Sequence, residues 1–91
     1  MKSFFSFLFP QWEPTLVEGA YYIAKSKELE RYYRGENFIV KILPRDKKTA
    51  KHYYNVITND IPIMTDSEHK PINFYIHEKN IIRMCGFNAH N

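Results

Sequence analysis

Cysteine, glycine and long apolar runs are all scarce in this chain. Cys85 is the single cysteine among 91 residues, so no internal disulfide can form. Secreted domains this small commonly carry several, and the expectation is a cytoplasmic protein with one buried or idle thiol. Gly19, Gly35 and Gly86 are the only glycines. Scattered as they are, they cannot build a phosphate-cradling loop. No segment approaches the roughly 20 consecutive apolar residues that a membrane-spanning helix needs. Repeats, low-complexity stretches and an obvious linker are also missing, and the length suits one domain rather than two.

Aromatic side chains are plentiful instead. Seven Tyr, seven Phe and one Trp make up 16% of the chain, within a hydrophobic share of 44%. That is far from the composition of a disordered segment, and it predicts a folded domain packed with large side chains. The formal charge is only +3. A mild excess of this size suits an anionic partner without forming the dense basic patch of a dedicated nucleic-acid binder.

The chain opens with a positive charge at Lys2 and an apolar run that ends at Pro10. Such a run is too short for a signal peptide and lacks a small-residue cleavage site, so it reads as mature protein. Residues 1–14 form an aromatic arm and residues 15–91 a single β-rich domain. Within the arm, Phe4, Phe5, Phe7, Phe9 and Trp12 either complete the core or meet a partner, a second copy or a membrane surface.

Thr15-Leu16-Val17-Glu18 has capping-box spacing, but Gly19 follows at once and the next apolar residues share no helical face. Gly19 to Ala24 reads better as a strand with Tyr21 and Ile23 on one face. Lys27 to Tyr33 reads as a short helical turn or an irregular loop. Arg34-Gly35-Glu36-Asn37 is a turn. Phe38, Val40 and Ile42 then form the buried face of a strand that stops before Pro44. A charged loop, Arg45 to Thr49, leads to a third strand over His52 to Thr58. Ile61 to Met64 reads as a short edge strand because Pro62 lacks an N–H. Asn73 to His77 is a strand with Phe74 and Ile76 inward. After a turn at Glu78-Lys79-Asn80, Ile81 to Met84 adds a last strand or helical turn. Five to six short strands at turn spacings of about ten residues, with no long helical pattern, predict an antiparallel barrel or sandwich.

Ala20-Tyr21-Tyr22-Ile23, followed by Leu29, Tyr32, Gly35-Glu36 and the Phe38/Val40 alternation, resembles the first half of an SH3-like barrel. In that family a short strand leads through a long meandering loop and a diverging turn into a hydrophobic strand. The resemblance extends over residues 19–82 and implies a small barrel. Tyr53-Tyr54 stands where the peptide-binding branch has paired tryptophans, and the Pro-x-x-Tyr shelf is missing. Binding of proline-rich peptides is therefore not implied.

Catalytic, metal and cofactor residues are not expected. His52, His69, His77 and His90 match no ligand spacing, and no serine sits in a nucleophile elbow. The residues favoured for contact are the arm and the tyrosines. On a strand, one member of each adjacent pair (Tyr21-Tyr22, Tyr32-Tyr33, Tyr53-Tyr54) faces the core and the other solvent. Tyr22, Tyr33 and Tyr53 are the expected outward members, and tyrosine is an effective interface residue.

A non-enzymatic protein-interaction module follows: an adaptor, inhibitor or assembly subunit. The abundance of Lys, Asn and Ile suits a bacterial or phage gene. The alternative is an RNA- or DNA-binding barrel in which Arg31, Arg34, Lys47, Lys48 and Lys51 hold phosphates while Tyr33 and Tyr53 stack on bases. The second alternative is peripheral membrane association through the arm.

Overall fold

The computed structural model describes residues 11–87. Five strands form a single antiparallel sheet: β1 (Tyr21–Ala24), β2 (Phe38–Ile42), β3 (Tyr53–Thr58), β4 (Phe74–His77) and β5 (Ile81–Gly86). The strand order is β4-β3-β2-β1-β5. The chain thus meanders outward through β4 and returns to lay β5 beside β1. Among the described residues the sheet does not close, and β4 and β5 are its two edges.

Alternation dictates the core. Phe38, Val40 and Ile42 on β2 stand in register with Ala24 and Tyr22 on β1, and with Thr58 and Val56 on β3. All of these are buried. Tyr54, opposite Ile76 on β4, and Ile61 complete the centre. Burying one such apolar side chain contributes about 1.5–3 kcal/mol. Trp12, Leu16 and Leu29 pack against this cluster from outside the strands.

Segment 11–19 is not a helix. It lies across the tops of two core tyrosines: the Thr15 and Leu16 amides donate to the Tyr54 hydroxyl, and the Val17 amide to the Tyr22 hydroxyl. These bonds replace the capping box, and Gly19 turns the chain into β1 with φ +86°. Trp12 thus belongs with the body of the domain, whereas Phe4, Phe5, Phe7 and Phe9 lie outside the described residues.

Ile61–Met64 is a 3₁₀ turn over Pro62–Met64, not the expected edge strand. Pro62 starts it without needing a donor, and the Thr65 amide and hydroxyl both close on the Pro62 carbonyl. Other 3₁₀ turns occupy Glu30–Tyr32 and Glu78–Asn80. No helix among the described residues is long and apolar enough to cross a membrane.

Each tyrosine pair divides between core and surface, but two divide the other way round from the expectation. Tyr22 and Tyr33 are buried, while Tyr53 is exposed. Tyr22 shares its side of β1 with Ala24, and Ala24 faces Phe38. Tyr33 lies against the Phe38 ring at 4.8 Å and hydrogen-bonds the Ser26 backbone. Both are thus the inward members of their pairs.

Candidate functional site

The edge of β4 that no other described strand pairs with borders a groove of about 360 Å³. Phe74 enters it from the core side of β4. Tyr53 and His77, paired across the β3–β4 ladder, enter from the opposite side. Leu29 and Met64 supply the remaining apolar wall, with Glu28 and Lys79 among the polar lining. Leu29 is placed there by the turn Glu30–Tyr32, and Met64 by the turn Pro62–Met64.

The Tyr53–His77 wall is braced from behind. The two rings meet edge to face at 4.9 Å, and His77 stacks on His52 at 6.0 Å. His52 Nδ1 lies 2.8 Å from Glu78 Oε2, and the Trp12 indole N–H donates to Glu78 Oε1 at 2.9 Å. These two bonds, His52 first, hold the Glu78 carboxyl below its ordinary range. His77 Nδ1 accepts the Lys79 amide, which fixes its ring.

His52 itself adopts φ +72°, a left-handed conformation that costs a non-glycine residue about 1–2 kcal/mol. The Glu78 amide bonded to the His52 carbonyl holds it there. Arg45 completes the brace. Its guanidinium lies over the Trp12 ring at 4.9 Å and donates to the carbonyls of Tyr53, Thr49 and Ala50.

The basic residues do not converge. Arg31 and Arg34 precede β2, whereas Lys47, Lys48 and Lys51 follow it, so the strand separates the groups by about 13 Å of rise. Arg31 lies over the Tyr32 ring. Arg34 lines a hollow that also contains Asp60, and Lys47 and Lys48 line one that contains Asp46. Tyr33 and Tyr53, the proposed stacking partners for bases, are respectively buried and in the β4 groove.

The groove suits apolar and hydrogen-bonded contact. Ser26, at its margin, is buried and its hydroxyl donates to Glu28. Among the described residues, no group of three His, Cys, Asp or Glu side chains is placed to hold a metal ion.

Of the expected contact residues, Tyr53 lines the groove and Trp12 braces it. Leu29, Phe74, His77 and Glu78 were not among the expected contact residues, because that role depends on two loops folding back onto one edge. A second unanticipated surface is the outer face of β1–β3. The sign for it was legible: β2 is apolar at Ile39 as well as at Phe38, Val40 and Ile42, more than a single buried face requires.

No protein-family model, curated protein or solved structure matches the chain.

Proposed function

We propose that the chain is a non-enzymatic protein-interaction module, built on a small SH3-like, partly open barrel, which takes an extended segment of a partner protein along the β4 edge. The single observation behind this reading is the groove itself. It has an apolar wall of Leu29, Tyr53, Met64 and Phe74 beside a strand that, among the described residues, has no neighbour on one side. An edge strand offers backbone donors and acceptors, and adjoining pockets select side chains. An exposed tyrosine on a rigid strand adds contact area at small entropic cost. The barrel reading is supported by the meander order, the return of β5 to β1 and the long β1–β2 connection. A cytoplasmic location and a bacterial or phage source belong to the same reading, on composition alone.

Binding of nucleic acid draws less support, since its basic residues lie at opposite ends of β2. Panning a displayed library of random peptides against the intact chain tests the proposal. Enriched peptides should lose at least about tenfold in affinity with Tyr53→Ala or Leu29→Asp, as removal of an interface anchor does, and should tolerate raised salt. Peptides insensitive to both substitutions would overturn the groove. Steeply salt-dependent capture of oligonucleotides, lost with Lys47→Glu and Lys48→Glu, would favour the alternative.

A further inference from the structure

The outer face of the sheet carries a second pattern. Cross-strand register aligns Arg83 of β5 with Ile23 of β1, and Ile23 with Ile39 of β2. Asp60 closes this row, its carboxylate accepting the Ile39 amide at 2.8 Å. The row therefore reads cation, isoleucine, isoleucine, carboxylate across neighbouring strands about 4.8 Å apart. A parallel row reads Gly86, Tyr21, Lys41, Ile57. Tyr21, Ile39, Lys41, Ile57 and Asp60 border a shallow hollow of about 310 Å³. Among the described residues, Arg83, Lys41 and Asp60 take part in no ion pair.

Reversing either row places complementary groups over each other. From this symmetry we infer that the outer face of β1–β3 is a self-association surface, occupied by a second copy of the chain about a two-fold axis parallel to the strands between β1 and β2. Rotation about that axis sets Arg83 over the partner copy's Asp60 and Ile23 over its Ile39. Tyr21 then meets Lys41, repeating the cation–ring contact that these two side chains already make within one chain at 5.9 Å. Gly86 leaves room above Ile57. No like charges meet, as an isologous interface requires. Two twisted sheets stack face to face in this aligned manner. The surface is distinct from the β4 groove and does not depend on it.

Sedimentation of the full chain over a concentration series tests the inference. The wild type is expected to show a reversible monomer–dimer equilibrium. Arg83→Asp places a carboxylate over Asp60, and Asp60→Lys places an ammonium over Arg83. Each alone is expected to weaken dimerisation by at least about tenfold, since every homodimer then holds two like-charge contacts. Mixing the two variants in equal amounts should restore the dimer, because one swapped and one native ion pair form across the mixed interface.

Asp60 also holds the Ile39 amide, so Ile39→Asp serves as a second variant. Ile39 is 45% exposed, and its substitution should yield a folded monomer that still melts cooperatively, with a melting temperature independent of concentration. A wild type that stays monomeric at all concentrations overturns the inference. So does a dimer that survives Ile39→Asp, or two folded charge variants whose mixture does not recover association.

Discussion

Trp12 and Glu78 lie 66 positions apart in sequence, yet the indole N–H of one donates to the carboxylate of the other at 2.9 Å. The second oxygen of the same carboxylate meets His52. One half-buried side chain thus ties the entry segment, the start of β3 and the approach to β5. Glu78 takes up a proton less readily in the folded chain than in the unfolded one, chiefly through His52 and then through Trp12. The unfolded state therefore binds more protons on acidification. The stability from this clamp is full above the ordinary carboxyl value of 4.5 and is lost as the pH falls through the lowered one. Glu78→Gln should be less stable than the wild type at neutral pH. The two should converge in acid, as followed by urea unfolding at several pH values. A constant difference across the series would show that the charge is irrelevant.

The hydroxyls of Tyr54 and Tyr22 make a second, separable prediction. Tyr54 accepts two amides of the entry segment and Tyr22 accepts a third. Removing an acceptor while keeping the ring leaves those amides to water or without a partner, at about 0.5–1.5 kcal/mol per typical bond. Tyr54→Phe should therefore destabilise by about 1–2 kcal/mol, and Tyr22→Phe by about half as much. Hydrogen exchange should report the loss first at the amides of Thr15, Leu16 and Val17. Exchange there that is unchanged in both variants would count against the account of how this segment is held.

The strands were legible because their signal is local. Phe38, Val40 and Ile42 alternate toward a buried side, and Tyr53 to Thr58 and Phe74 to His77 fall where turn residues bracket β-branched and aromatic runs. The parity of the tyrosine pairs was not legible. Whether Tyr21 or Tyr22 faces inward depends on the register of β1 against β2, and a slip of one residue exchanges the faces. Ile61 to Met64 failed as a strand for another reason. A proline that lacks a donor suits both an edge strand and the first position of a helical turn, and the Thr65 bonds to Pro62 select the turn. Of the β4 groove only Tyr53 was anticipated as a contact residue, because Leu29 and Met64 are brought to Phe74 of β4 by loop geometry.

Gly35 should resist substitution on backbone grounds alone. It has φ +80°, yet a Cβ placed there would meet nothing within 4 Å. Gly35→Ala is thus free of steric clash but carries the left-handed penalty of about 1–2 kcal/mol. Gly86 is the control. Its φ needs no glycine, and an added Cβ would make only an ordinary 3.8 Å contact with Tyr21 Cβ. Gly86→Ala should leave the melting temperature nearly unchanged, whereas Gly35→Ala should lower it by several degrees. Equal effects at both positions would point away from backbone conformation as the cause.

Tyr53 and Phe38 should separate binding from folding. Both are aromatic and both lie on central strands, but Phe38 is 1% exposed and Tyr53 38%. Phe38 is surrounded by Tyr33, Val40 and the β1 face, so Phe38→Ala leaves a cavity and should cost about 3–5 kcal/mol. A domain of this size has total stability of about 5–15 kcal/mol, so this variant should be partly unfolded at 37 °C. Tyr53→Ala removes a side chain whose ring meets His77 and the groove, while its carbonyl still accepts Arg45. The expected loss of stability is below about 1 kcal/mol, as for exposed positions away from special features. Chemical denaturation of both variants, with peptide binding measured on the folded Tyr53→Ala chain, checks the pair together. If Tyr53→Ala unfolded the domain as severely as Phe38→Ala, its ring would be core rather than contact surface, and the groove would lose its central anchor.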